Sequence, residues 1–413
     1  MKRSTTWKQV CLVAGVALCG QAMFAQVRSS PLVAKSAVAS GFMRPHTWVV
    51  AAPAAVHGPG QTNCTTGCYY YPADIQTAYA TNYIAKGNGG AGITIAIVDA
   101  YHYPDAESDL HQFSIQFGLP DCTSASGCFT QVNQDGGPTG GASDPAWAVE
   151  VDVDLQWAHA IAPKARLLLV EGADNSFESL MAAVQYARLH ADVVSNSYGT
   201  DEFAQQTTYN DALAGSPVPI LFSSGDTGAS ASWPCTNPNV VCVGGTSLLE
   251  TATSYRASEK GWGSGGGSCS TIEGAPTFQT PYSTTACGSW RGVPDVAAIA
   301  DTSTGVLIYL GPIPAGAGSP GWYIGGGTSV GPPIVAGLIA NIDAARVTAG
   351  KPKLTQSLGQ QLYQGAANPL YRYRYYDVTV GNNGYPTTTG WDRVTGLGVP
   401  LGPSLAAYLV SLP

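Results

Sequence analysis

The sequence predicts an α/β protein, a single large domain in which a parallel sheet is flanked by helices on both faces. Three observations carry that expectation. Continuous Val/Ile/Leu runs recur at 93–98, 166–170, 192–197, 218–223 and 240–244, and strands apolar on both sides belong in a parallel sheet covered from above and below. Longer stretches at about 70–85, 105–117, 145–161, 176–190, 204–214 and 330–346 read as helices between those runs, the alternation that such a sheet requires. Candidate functional segments are spread across residues 69–413 with no internal repeat, so one domain with long loops is expected, although that length is large for a single unit.

The first strand lies in ITIAIVDAY at 93–101 and carries Asp99 near its end. In ASDPAWAVEVDVDLQWAHAIAP, Glu150 and Asp154 are four apart and share one face of a helix, with Asp152 pointing roughly the other way. Read alone, VEVDVDL alternates with period two and equally suits a half-buried strand with all three carboxylates on one face. Length and the run WAHAIAP favour the helix. In VPILFSSGDTGAS, four apolar residues lead into Ser-Ser-Gly-Asp-Thr-Gly, the pattern of a buried parallel strand ending in an active-face loop, and place Asp226 in that loop. The run Gly325-Gly326-Gly327-Thr328-Ser329 opens into VGPPIVAGLIANIDAA, so Ser329 stands where a tight turn becomes a helix. A hydroxyl there is expected to be exposed, beside backbone N–H donors and the positive end of the helix dipole, a setting that favours an oxyanion.

Only 11% of the chain is charged, against roughly 25% in ordinary globular proteins. Protonating all 27 Asp and Glu would leave only 19 Lys/Arg and six His, a mild self-repulsion for so long a chain. The formal charge of −8 and the lack of basic clusters argue against nucleic acid as a partner. Residues 1–25 read as a signal peptide: Lys2, Arg3 and Lys8, then VCLVAGVAL, then small residues near Ala22 or Ala25. No later stretch reaches about 18 uninterrupted apolar residues, so a secreted chain that leaves the membrane once the signal is removed is expected, and a monomer. Of ten cysteines, Cys11 and Cys19 leave with the signal. The rest fall in close couples, Cys64 with Cys68, Cys122 with Cys128, Cys235 with Cys242 and Cys269 with Cys287, for which disulfides between neighbours are the natural expectation in an exported chain. Zinc is disfavoured, because no couple has CxxC spacing and no suitable His accompanies them. Residues 26–68 are rich in Ala, Val, Pro and Ser without a clear period and read as an exposed leader or short prosegment.

The six histidines, at 46, 57, 102, 111, 159 and 190, include none in the His-Gly-Thr setting of subtilisins. Instead ExxxD at Glu150, SSGDTG at Asp226 and GTSxxxP at Ser329, in that order, resemble the sedolisins, serine-carboxyl endopeptidases on a subtilisin-type fold. DVVSNSYG at 192–199, the GWGSGGGS run from Gly261, RGVPDVAA at 291–298 and GWDRVTGLG at 390–398 agree with that resemblance, which spans about residues 69–413. Any one motif alone would be weak, because an i,i+4 acidic pair, a Ser-Gly-Asp turn and a Gly-Thr-Ser cap are each usually structural.

The resemblance implies a secreted, acid-active endopeptidase that cuts polypeptide substrates. Ser329 would be the nucleophile, Glu150 its base, Asp154 the residue that orients Glu150, and Asp226 a protonated donor in the oxyanion hole. A carboxylate base stays ionised in acid that would disable histidine, and an apolar site beside negative charge can hold Asp226 neutral. The glycine run from Gly261 would pair with substrate as an added strand. Many sedolisins carry a large folded prosegment. Residues 26–68 are too few for one, which leaves latency and assisted folding open. Asp152, Asp99, His102 and His159 are assigned to structure or solvation.

YYDVTVGNNGYPTTTGWDRVTG resembles the family's calcium loop. Asp377 and Asp392 with the carbonyls of Val378, Thr388 and Gly390 would form an oxygen cage for one structural calcium ion. Thr388 stands where the family often has Gly, and a polar hairpin with an Asn-Gly turn is the simpler account of the same residues. Two rival functions stay in view: a Ser-His-Asp peptidase built on Asp99, which lacks its His, and an inactive or binding-only relative on the same fold.

Overall fold

A computed structural model describes residues 41–51, 69–85, 87–251, 254–312, 318–367 and 369–413. The expected signal peptide, most of the leader and the Cys64–Cys68 couple lie outside the described residues. The central sheet has eight strands. Seven run in the spatial order Ser254–Gly261, Val241–Thr251, Ile220–Ser223, Val193–Asn196, Thr94–Ala100, Arg166–Gly172 and Phe129–Asn133, and Val296–Ile299 also pairs with Val241–Thr251. Every pairing is parallel except that of Val241–Thr251 with Ser254–Gly261. The fold is a subtilisin-like α/β domain.

The unbroken apolar runs follow from helices on both faces. Ile95, Ile97, Leu167 and Leu169 point into one core with residues of the helices Pro145–Ile161 and Gly331–Thr348. Ala96, Val98, Leu168 and Val170 point into the other, with Leu180 and Val184 of the helix Phe177–His190. Because successive side chains of a strand face opposite sides, both sets must be apolar.

The helix Pro145–Ile161 begins where the sequence places it. The Asp144 side chain accepts from the amides of Ala146 and Trp147 at 2.9 and 3.2 Å, and Pro145 occupies the first turn, where its missing N–H costs nothing. Thr328–Thr348 is long and apolar enough to cross a membrane by length and composition, yet 89% of its apolar stretch is buried inside the domain. The helix expected at 70–85 is instead Pro72–Ala78 and Asn82–Ala85, separated at Ala80, whose φ of 56° is left-handed backbone. The segment at 204–214 is a 3-10 turn, Gln206–Tyr209, followed by the short helix Asn210–Leu213. Disulfides join Cys122–Cys128, Cys235–Cys242 and Cys269–Cys287.

The leader needs a correction. Within 26–68, the segment 41–51 is built into the fold. Arg44–Pro45 pairs antiparallel with Tyr198–Asp201, and Trp48–Ala51 pairs antiparallel with Gly321–Gly326. Met43, His46 and Thr47 are buried. Strand addition is made by backbone N–H and C=O groups, which every non-proline residue has, so an aperiodic apolar stretch gives no warning of it.

Candidate active site

Ser329 enters the site through backbone that only glycine takes easily. The strand Gly321–Gly326 ends, Gly327 adopts a φ of 96°, and the 3-10 turn Thr328–Val330 leads into the helix Gly331–Thr348. A side chain on residue 327 would overlap the carbonyl oxygen of His46 and approach Asp226 Oδ2. Contrary to expectation, Ser329 is fully buried, because residues 46–47 lie across it. Its Oγ donates to the carbonyl of Ser197 at 3.2 Å.

Glu150 and Asp154 stand one turn apart on their helix, both fully buried. Glu150 Oε2 accepts a 2.6 Å hydrogen bond from Thr47 Oγ1, and Oε1 has no partner among the described residues. Ser197 Oγ lies 2.7 Å from Asp154 Oδ1 and 3.1 Å from the Ser329 carbonyl, so the loop after the strand Val193–Asn196 ties Asp154 to Ser329. Burial raises the pKa of Glu150 well above the usual carboxylate range and the neighbouring Asp154 adds to it, against the Thr47 and Ser329 hydroxyls, which pull it down. Burial does the same to Asp154. Asp99, assigned from sequence to structure or solvation, is a third buried carboxyl here. Its pKa is raised by burial first and then by the charges of Asp154 and Glu150, and neither of its oxygens is hydrogen-bonded among the described residues. Three such groups cannot all stay ionised together. Asp152 points away, as expected, and accepts from Gln156 at 3.2 Å.

Asp226 lies in the loop after the strand Ile220–Ser223. Its Oδ1 accepts from both the amide and the hydroxyl of Thr328, each at 2.8 Å. Its Oδ2 is buried without a partner among the described residues, on the side where Gly327 leaves room for the His46 carbonyl. Burial pushes the Asp226 carboxyl up to about 7, against the hydrogen bonds from Thr328 and the Trp48 side chain, which pull it down. The glycine run from Gly261 supports this loop: Gly266 N–H donates to the Gly225 carbonyl at 2.6 Å and Gly267 N–H to the Ser230 carbonyl at 2.9 Å. Among the described residues, Arg44–Pro45 pairs with Tyr198–Asp201 and Trp48–Ala51 with Gly321–Gly326.

No described histidine side chain hydrogen-bonds Ser329. His102 pairs with Glu171, His111 with Asp121, His159 with the Pro120 carbonyl and His190 with the Tyr186 carbonyl. His46 alone enters the site, and its Nδ1 bonds Ser223 Oγ at 2.7 Å. Ser223 and Ser197 carry no sequence signal of their own beyond standing at strand ends next to recognised motifs.

In the C-terminal loop, Asp392 Oδ1 accepts from the amides of Val394 and Thr395 at 2.8 Å each, and Oδ2 from Thr388 N–H at 3.0 Å. Gly390 N–H donates to both oxygens of Asp377, at 3.1 and 3.2 Å. None of the hydrogen bonds among the described residues ends on the carbonyl oxygens of Val378, Thr388 or Gly390. The donor set is therefore all oxygen, with hard ligands on one loop, and fits calcium in kind. It holds no group of three or more His, Cys, Asp or Glu among the described residues.

A subtilisin-like sheet carrying a serine at a helix start, with carboxylates in place of a histidine, defines the class of the protein. The model of the subtilase family (peptidase S8) matches residues 139–398, and the chain belongs to that family. Within it the chain is a sedolisin-type member. It is 30% identical over 383 residues to kumamolisin of Bacillus sp. (strain MN-32), covering 83% of this chain and 64% of the relative. It is 28% identical over 393 residues to sedolisin of Pseudomonas sp. (strain 101), covering 82% and 61% respectively. The chain thus spans less than two thirds of the length of these relatives. Among solved structures, a Pseudomonas sedolisin (serine-carboxyl proteinase), complexed with two molecules of pseudo-iodotyrostatin, superposes with a TM-score of 0.70 at 25% identity. That match covers 84% of this chain and 99% of the other.

Proposed function

We propose that this chain is a secreted, acid-active endopeptidase of the serine-carboxyl type. The observation that carries the reading is the surround of one carbonyl oxygen. The Ser329 N–H donates to the His46 carbonyl at 3.4 Å, and Asp226 Oδ2 and that carbonyl oxygen both border the space a side chain on Gly327 would fill. Two donors converging on a peptide carbonyl next to a serine hydroxyl are the arrangement that stabilises a developing oxyanion.

In this reading Ser329 Oγ adds to the substrate carbonyl carbon while its proton passes to Glu150. Asp154, fixed by Ser197, orients Glu150 and shares its charge. Negative charge on the carbonyl oxygen is met by the Ser329 N–H and the protonated Asp226. Collapse breaks the C–N bond, with Glu150 returning the proton to the leaving amine, and water then attacks the acyl-enzyme by the same route. Convergence of four groups on one point favours this over an inactive, binding-only relative. The relatives' printed names, kumamolisin and sedolisin, and the serine-carboxyl proteinase of the solved structure support polypeptides as substrates. The disulfides fit an oxidising compartment, and a monomer without membrane or nucleic-acid partners completes the reading. Hydrolysis of casein at pH 4 by wild type and not by Ser329→Ala is the test, and equal hydrolysis by both would reject it.

Calcium belongs to the same proposal. Asp377 and Asp392 with the carbonyls of Val378, Thr388 and Gly390 would hold one ion, whose charge would draw the loop's oxygens together and stabilise the fold.

A further inference from the structure

The glycine run from Gly261 lies between two neighbours. One is the loop that carries Asp226. Gly266 N–H donates to the Gly225 carbonyl at 2.6 Å, Gly267 N–H to the Ser230 carbonyl at 2.9 Å, and Gly228 N–H returns a bond to the Ser264 carbonyl at 2.8 Å. The other is the hairpin 380–387, which projects from the C-terminal loop between Asp377 and Asp392. Asn382 pairs with Pro386 across its turn, Gly381 pairs with Gly261, and Gly261 N–H donates to the Val380 carbonyl at 2.8 Å. The hairpin also touches the Asp226 loop directly. A methyl group on residue 228 would come 2.8 Å from the Asn383 carbonyl oxygen, and one on residue 384 would come 2.5 Å from Ala229 Cβ.

Inside this contact sits Asn383, 5% exposed. Its Nδ2 donates to the Gly265 carbonyl at 2.9 Å, with the Gly267 and Arg393 carbonyls farther off at 3.4 and 3.5 Å. Its Oδ1 accepts from the Tyr385 N–H at 3.1 Å, which fixes the orientation of the amide. The run itself has no side chains with which to hold its place. A methyl group on residue 266 would come 2.0 Å from the Ser224 carbonyl oxygen, and one on residue 267 would come 1.9 Å from that of Arg393. Both positions therefore need glycine, whose backbone loses the most freedom when it is ordered. Gly265, Gly266 and Gly267 are buried, and buried carbonyls need donors. Among the described residues, Asn383 is the side chain that donates to those of Gly265 and Gly267.

We propose that Asn383 is a positioning residue for the peptidase reaction: it holds the glycine run against the loop 224–230 and so keeps Asp226 beside the nucleophile. This rests on the peptidase reading above and adds a residue to its machinery. The connection is short. Asn383 fixes Gly265 and Gly267, and Gly266 between them bonds Gly225, the residue before Asp226. Gly225 N–H donates to Thr328 Oγ1 at 3.0 Å, and that hydroxyl donates to Asp226 Oδ1 at 2.8 Å. A misplacement of about 1 Å that starts far from the chemistry can cost a hundredfold in rate. A loosened loop would also admit water to Asp226 and relieve the burial that keeps its carboxyl protonated. Arg44 and Glu150, whose charges interact with Asp226, lie on other segments and stay in place.

The test compares wild type, Asn383→Ala and Asn383→Asp as full chains. On casein at pH 4, Asn383→Ala should lose about tenfold or more in kcat/KM, as expected for a buried bond whose loss displaces a reacting group. Its upper pH limb should also move down by about one unit or more as Asp226 is wetted, a shift that a smaller folded fraction would not produce. Asn383→Asp keeps the shape and has a donor only when protonated, so its activity relative to wild type should be higher at pH 4 than at pH 6. Independently of catalysis, hydrogen exchange is read at pH 6 in the Ser329→Ala background. Adding Asn383→Ala should speed exchange of the Gly228, Gly266 and Gly267 amides about tenfold or more, while those of Thr94–Ala100 keep their rates. If Asn383→Ala does not fold, Asn383→Asp takes its place in both comparisons. Unchanged exchange at the three glycines, or an upper limb that stays where wild type has it, overturns the proposal. Casein left intact by wild type rejects the peptidase reading, and the exchange comparison alone then decides whether Asn383 holds the loop.

Discussion

The backbone N–H of Ser329 donates to the carbonyl oxygen of His46 across 3.4 Å, so a residue from the chain's own N-terminal stretch lies directly against the serine. Asp226 Oδ2 and the His46 carbonyl oxygen border the same space beside Gly327, and the next residue, Thr47, donates its hydroxyl to Glu150. Geometry of this kind has consequences that mutation and pH can read.

Ser329→Ala is expected to reduce casein hydrolysis at least a thousandfold, about 4 kcal/mol of transition-state stabilisation. Glu150→Gln should be comparably severe, since members of a cooperating unit fail together. Circular dichroism and melting temperature of Ser329→Ala should match wild type, because one hydroxyl bonded to the Ser197 carbonyl is all that is lost. Residual activity above a tenth of wild type would reject Ser329 as the nucleophile.

Calcium is expected to raise the melting temperature of Ser329→Ala at pH 6, and chelation to lower it, because a ligand bound only by the native state stabilises by mass action. Asp392→Ala should abolish the difference between the two conditions. Equal melting with and without chelator would return the loop to the polar-hairpin account.

Stability should be greatest in acid. Burial raises Asp74 to about 6, Asp343 to about 7 and Glu250 to about 8, and it also raises Asp109 and Asp152. In the unfolded chain these groups ionise near 4. Below that pH both states are protonated and the contribution is fully present. Above it the unfolded state gives up protons that the native state keeps, so unfolding becomes easier until pH passes the native values near 6 to 8. At constant calcium, the melting temperature of Ser329→Ala should fall by roughly 5 °C or more from pH 4 to pH 8. A steady rise over that range would show that other groups dominate.

Much of the site is legible in the sequence because its chemistry lies in side chains at fixed spacing. Glu150 and Asp154 share a helix face whose start Asp144 and Pro145 mark, Asp226 follows an apolar run that becomes a buried strand, and Ser329 precedes one that becomes a buried helix. What escapes is tertiary and made of backbone. His46 and Thr47 reach Ser329 through main-chain pairing that leaves no residue pattern, and the Ser197 carbonyl, which accepts from both Ser329 Oγ and the His46 amide, is a group every residue has. Asp99 ends its strand in a position that spacing alone cannot tie to Asp154. The mixed edge strand Phe129–Asn133, FTQVN, is too polar to read as a buried strand, since an edge asks less of its side chains than the sheet centre does.

The most direct test of the carboxylate mechanism is the pH profile of casein hydrolysis by wild type and Asp226→Asn between pH 2.5 and 9. Asp226 must be protonated to donate to the oxyanion, and burial holds its carboxyl at about 7, so wild-type activity should fall as pH rises through that region. Glu150 must be ionised to accept the Ser329 proton, which sets the acid limb as a property of the coupled Glu150–Asp154 pair. Asp226→Asn keeps a donor that cannot ionise, and should lower the peak while flattening the upper limb. An optimum near pH 8 with almost no activity at pH 4 would contradict the account and return the search to a histidine base.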